Sequence, residues 1–321
     1  MVQDTTNCNF CGRKTPAGRG TCLYCGGALH AASIEVAPPQ NSIESFEPAF
    51  NTVVLPSTVP DARSEAALAN ALSLESEEAH AFVSSRKTLP ISRSLTRHEA
   101  ELVAALVRTC GMGATIVEDR DLMLETVLVR ARRVALNADR IEINSAGGAL
   151  TIPLSKIRLV VAGMIRNQRT DYTEGVSGAR GKEGAVLETF EFRSELCLMD
   201  VYGSTLAESF RICSDGFDYS GLVQPLAYRS EMNFQAAAAR LAAAMPNAKF
   251  DDDYGQVRRL LARAWPQRTH REAKGLKRAG ATYNLVAQSS LVSDDTDQFN
   301  RYSRLMYVLL KGLPNPSLAT P

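Results

Sequence analysis

Apolar residues change their spacing several times along this chain, and each change predicts an element. Between Asp61 and Val83, Ala67, Ala71, Leu72 and Ala79 make a weak stripe in an Ala-, Leu- and Glu-rich stretch, which predicts a helix. Pro90 interrupts the next segment, Arg86 to Arg93. A stronger signal begins at Leu95. Thr96-Arg-His-Glu99 has the spacing of a capping box, in which each side chain accepts the other residue's backbone N–H. Val103, Leu106, Val107 and Cys110 follow at helical intervals, and Gly111 and Gly113 end the helix. Ala114 to Val117 then reads as a short strand and Asp119 to Asp121 as a turn.

From Val127 the period falls to two. Val127, Val129, Ala131 and, less cleanly, Val134 alternate with polar residues, and Ile141 and Ile143 mark a second strand. Gly147-Gly148 turns the chain into Leu150 to Ile152. Leu159 to Ile165 is a continuous apolar run, as expected of a central strand. Phe190, Phe192, Leu196 and Leu198 mark another strand, and Leu206 to Ile212 returns after Gly203-Ser204. The sum is an antiparallel meander of about six strands. Asn233 is placed to cap a helix, Phe234 to Met245, that Pro246 stops. Two further helices are expected, Tyr254 to Trp265 and Asp297 to Lys311, with Gly312 as a stop before a Pro-rich tail. A meander closed by a helix over roughly Val127 to Met245 resembles pleckstrin-homology-like domains in element order. That resemblance implies recognition of a lipid headgroup or a peptide.

The 321 residues allow two or three domains, and 45% hydrophobic with 22% charged residues is ordinary for a folded protein. A formal net charge of +1 gives no global field for nucleic acid, so such a partner would need a local patch. Met1 to Leu29 has no apolar run of signal-peptide length. The longest apolar stretch, Ala236 to Met245, is short and contains Arg240. These features predict a cytoplasmic protein with no membrane span.

Seven cysteines are an odd number, and four of them cluster. Cys8-Asn-Phe-Cys11-Gly12 is followed, ten residues later, by Cys22-Leu-Tyr-Cys25-Gly26. Two residues between cysteines let one turn present both sulfurs to one ion, and the following glycine admits a positive φ. Two such turns supply the tetrahedral thiolate set that zinc prefers. Cys8, Cys11, Cys22 and Cys25 are therefore the expected ligands of a structural Zn²⁺, with no open position for catalysis. The alternative is a redox or iron–sulfur role, although the short intervening loop does not suit a thioredoxin-like motif. The segment resembles the short zinc ribbons found at the ends of many bacterial and archaeal proteins. It would present Phe10, Leu23 and Tyr24 to a partner.

The organisation expected is α+β: a zinc ribbon at 1–30, a Pro-rich linker at 31–60, a helical and small α/β segment at 61–126, an antiparallel β domain with its closing helix at 127–250, and a helical C-terminal segment and tail at 251–321. Phe46, Phe50 and Val53-Val54-Leu55 could instead anchor the linker as an ordered arm.

Other candidate chemistry is sparse. The glycine-rich loop Gly175 to Gly184 departs from the phosphate-binding loop pattern, since Glu183 follows Gly181-Lys182. Arg258, Arg259, Arg263, Arg268, Arg271, Lys274, Lys277 and Arg278 face only Glu272 in sequence, and could contact an anion or nucleic acid or form a solvated helix face. His30, His80, His98 and His270 form no metal-binding pair, Cys110 lies on an apolar helix face, and Cys197 and Cys213 alternate within strands without a basic local context. Asp215-Gly-Phe-Asp218-Tyr219 reads as a turn. The chain is thus expected to be a non-enzymatic zinc-binding adaptor or assembly subunit with a protein partner. Nucleic-acid binding through the ribbon and the 258–278 segment is the alternative, as is the headgroup or peptide recognition named above. Oligomeric state is not readable.

Overall fold

The computed structural model describes residues 5–7, 11–16, 23–25, 47–56, 62–175, 186–279 and 284–312. The chain divides into two compact units, Met1–Gln40 and Asn41–Pro321. In the first, β1 (Thr5–Asn7) pairs antiparallel with β2 (Lys14–Pro16), with Asn7 opposite Lys14.

The second unit is mixed α+β, with a small sheet and a large curled one. In the small sheet, β3 (Phe50–Leu55) lies between β4 (Leu89–Ser94) and β5 (Gly113–Glu118), and both pairings are antiparallel. The segment assigned above to a linker thus contributes a central strand from residue 50 onward, because Val53 and Val54 have a core to enter. Pro90 sits in β4, an edge strand of this sheet, where its missing N–H costs no ladder bond. The single helix expected from Asp61 to Val83 is two, α1 (Ala62–Leu72) and α2 (Ser76–Ser85), separated at Ser73, whose φ is 51°. The Thr96–Glu99 capping box starts α3 (Arg97–Thr109), which buries Ala100, Val103, Ala104 and Val107 at i, i+3, i+4 and i+7.

The large sheet begins with β6 (Val129–Leu136), β7 (Arg140–Ser145) and β8 (Gly148–Pro153), continues with the long β9 (Leu159–Gly175) and β10 (Val186–Tyr202), and then β11 (Phe210–Cys213). These are not one antiparallel meander. β11 pairs with β6 in parallel, joining two antiparallel three-strand runs. The helix α4 (Ser230–Ala244) starts before Asn233. That side chain lies inside the helix and bonds both the N–H and the C=O of Ala227.

The C-terminal region is not all helical. After β12 (Lys249–Asp251) and α5 (Tyr254–Ala264) come two strands, β13 (Arg268–Ala279) and β14 (Asn284–Asp294), and then α6 (Thr296–Gly312). β12 runs parallel beside the start of β9, and β14 pairs antiparallel with its distal half. The distal halves of β9 and β10 therefore join β14 and β13 in a four-stranded blade.

Nearer the body, the sheet is covered on both faces. Leu159, Val161 and Ile165 of β9, with Leu198 and Tyr202 of β10, enter a core shared with the small sheet, α5 and α6. The alternate residues Val160, Ala162, Met199 and Val201 enter a second core under α4. Gly163 belongs to the first set. A Cβ there would lie 2.7 Å from the Phe299 ring and 2.8 Å from the Tyr254 ring, so α5 and α6 approach the sheet only over a residue without a side chain. None of the described helices is long and apolar enough to cross a membrane.

Candidate functional site

In the first unit, Cys11 and Cys25 are exposed, and Cys8 and Cys22 lie outside the described residues, as does Phe10. Gly12 has φ +69°, the left-handed conformation a glycine supplies at little cost. The β1–β2 hairpin spans the first Cys-x-x-Cys pair, and the Arg13 guanidinium lies 5.1 Å from the centre of the Tyr24 ring, between the two cysteines of the second pair. Leu23 and Tyr24 are both more than half exposed.

The basic segment is divided between two elements. Arg258, Arg259 and Arg263 belong to α5; Arg268, Arg271, Lys274, Lys277 and Arg278 belong to β13. Arg258 faces Asp295 at 3.6 Å, and Arg263 faces Glu78 at 3.4 Å while donating to Leu72 O. Arg268 pairs with Asp297 at 3.4 Å, Arg271 with Glu174 at 2.5 Å and Lys274 with Asp171 at 3.1 Å. Five of the eight cations therefore have a carboxylate partner, and the local excess seen in sequence is offset by acids from other strands and helices. Arg169 holds the Asp171 carboxyl well below the usual range, and a hydrogen bond from Ser290 adds to the effect. A groove of about 340 Å³ lies beside Arg258, Arg259 and Gln267.

The remaining sequence candidates are placed as follows. His80 pairs with Glu65 and His270 with Glu272, both on the surface. Burial pushes the Cys110 and Cys197 thiols up, so neither is poised as a thiolate. The Ser220 side chain and then its backbone N–H lower the Asp218 pKa, and the bond from Ser220 N closes the turn. Residues 176–185 of the glycine-rich loop lie outside the described residues.

Two buried polar networks went unread in the sequence. In the first, Asp119 Oδ1 accepts from Arg301 Nη1 and from Asn51 Nδ2, each at 2.8 Å. Its Oδ2 accepts from Arg93 Nη2 at 2.6 Å and Nε at 3.1 Å. Asn51 Oδ1 in turn accepts from Trp265 Nε1 at 2.8 Å, and Gln298 Nε2 donates to Trp265 O at 2.8 Å. One carboxylate thereby ties β3 and β4 to α5 and α6. Burial lowers the Arg301 pKa, and Asp119 opposes that shift. In the second network, Asp200 accepts from both Arg211 Nε at 2.6 Å and Nη2 at 2.7 Å, and from Ser303 Oγ at 2.6 Å. Ser303 spends its proton on Asp200, so the Tyr202 hydroxyl, 2.7 Å away, donates to Ser303. Asp119 and Asp200 are thus both committed to internal partners, which suits holding a fold together.

The feature turned outward is the distal half of β10. Proximally its outer side pairs with β11 from Leu198, and Cys197 O accepts from Ser214 N while Cys197 N donates to Ser214 Oγ. Among the described residues, from Glu188 to Leu196 it pairs only with β9, and its other side is an open edge. Phe190 and Phe192 project from one face of that edge, 56% and 55% exposed. Arg169 lies over the Phe192 ring at 5.9 Å. The opposite edge of the blade is guarded. β13 carries a bulge between Ala273 and Gly275, where Gly275 has φ +92°, and Lys274 and Lys277 beside it, devices that discourage strand addition. β10 carries two phenylalanines instead. Comparison with family models, curated proteins and solved structures finds no match to this chain.

Proposed function

We propose that this chain is a non-enzymatic zinc-binding assembly protein that docks protein partners on the open edge of β10. The open edge itself carries the reading. A nine-residue stretch of strand, from Glu188 to Leu196, with backbone groups unpaired among the described residues and two exposed aromatic rings, is a template for β-addition. The nucleic-acid alternative draws on the 258–278 cations, five of which are already matched by carboxylates.

Placing a photo-reactive amino acid at Phe192, in the native cell, tests the edge. Adducts are expected from position 192 and not from Arg140, an exposed residue of β7 on another part of the sheet. Absence of any adduct at 192 removes the reading.

The zinc half of the proposal rests on the spacing of Cys8, Cys11, Cys22 and Cys25, on the hairpin that spans the first pair, and on the positive φ of Gly12. The two compact units unfold separately in this reading. Cys22→Ser is expected to release bound zinc, measured by elemental analysis, while the main thermal transition of the body keeps its midpoint. A collapse of that transition on chelation would show instead that the metal holds the body together.

A further inference from the structure

We infer that the occupant of the β10 edge is a second copy of this chain, paired antiparallel about a two-fold axis at Phe192. This rests on the docking-edge reading above and names its partner. Past the irregularity between Val186 and Glu188, the regular part of the free stretch runs from Glu188 to Leu196, and its middle residue is Phe192. A two-fold pair that uses the whole stretch therefore sets Phe192 opposite its own copy.

That register decides every other neighbour. Glu191 of each chain falls opposite Arg193 of the other, on the face away from the phenylalanines. Two cross-strand ion pairs then flank a central Phe192–Phe192 contact, with Phe190 diagonal to it on the same face. Within one chain Arg193 already reaches Glu191 at 3.2 Å, both sides exposed, so the charges are aligned along the edge before a partner arrives. A slip that centres the axis on Glu191 would set like carboxylates opposite each other, which is unfavourable.

The ends of the edge agree with this arrangement. Val186 and Leu187 are exposed at its start, and Leu226, Tyr228 and Met232 are exposed near its finish, where Ser230 bonds Ser214 O and Ser214 bonds Cys197. Antiparallel pairing brings the start of one copy to the finish of the other, so both apolar groups are covered together. Each copy's guarded β13 edge stays outside, and the contact closes as a dimer instead of growing as a fibre.

Charge reversal tests the register on the full-length protein by sedimentation velocity across the micromolar range. Wild type is expected to dimerise with concentration. Glu191→Arg alone and Arg193→Glu alone each put like charges opposite one another and should weaken the dimer on the order of tenfold or more. Mixing the two variants restores opposite charges at both positions and should recover a dimer at wild-type strength. That recovery also shows that both variants are folded. A wild type that stays monomeric overturns self-pairing, and if position 192 still yields adducts with other proteins, the docking edge survives without it. Dimers that ignore the single reversals, or a mixture that fails to recover, overturn the register.

Discussion

Asp119→Ala should destabilise the body by about 3–5 kcal/mol, the usual cost of breaking a buried ion pair by removing one member. The size follows from what remains behind. Arg93 and Arg301 have side chains only 5% and 8% exposed and meet on this one carboxylate. Without it, two guanidinium groups face each other in a site where burial already works against the Arg301 charge. Asn51 also loses one of its two acceptors and keeps Val117 O, which loosens the side chain that holds the Trp265 indole. A domain is stable by only about 5–15 kcal/mol, so the loss is a large fraction of the total. Urea unfolding followed by fluorescence measures it well, because Trp265 is the chain's single tryptophan and sits in the network. Asp121→Ala, at a half-exposed neighbour, should move stability by no more than about 0.5 kcal/mol. Equal effects at both positions would show that the network carries no special share of the stability.

Phe299→Ala should cost a similar amount, about 3–5 kcal/mol, for a different reason. Phe299 is fully buried, meets the Tyr254 ring edge-on at 5.1 Å, and has the Arg211 guanidinium 5.4 Å from its centre. Its truncation opens a cavity over Gly163, where the strand has no side chain to fill it. Gly163→Ala alone should also destabilise, by about 1–3 kcal/mol, because its methyl group would overlap that ring. Combined, the two changes should cost less than their sum, since the truncation removes part of the clash. A double-mutant cycle by urea denaturation reads this coupling. Simple additivity would mean that the contact between β9 and α6 is looser than the geometry requires.

Local signals in this chain were legible where one element decides its own form. The capping box at Thr96 and the i, i+3, i+4, i+7 face of α3 are of that kind, and so is the central position of Leu159 to Val161, the start of the Leu159–Ile165 run, between β10 and β12. Val134 fits period two poorly because a bulge between Ala131 and Arg133 shifts the register of β6 against β7. The strand Arg268–Ala279 carries no apolar alternation, because its residues 268–277 are exposed on both faces and it is held by its neighbour's backbone. Phe50–Leu55 was hidden by the prolines around it, although its partners β4 and β5 are distant in sequence. The same distance hid the polar networks. Asp119 and Arg301 are 182 positions apart, and nothing near either residue announces the other. The zinc-ligand spacing is the reverse case, visible in sequence and partly outside the described residues.

The burial of α6 also bears on how the protein is made. Phe299, Arg301, Tyr302 and Arg304 reach the small sheet, the large sheet and the loop at Thr126, so the larger core is not complete before this helix is present. At about 5–20 residues per second, Arg301 is synthesised roughly 10–40 seconds after Asp119. During that interval the ribosome carries a chain whose small sheet lacks the Arg301–Asp119 ion pair and whose long β9–β10 hairpin already offers an open edge. Neighbouring ribosomes on one message would hold such edges close together, and a nascent chain is as able to be captured there as a finished one.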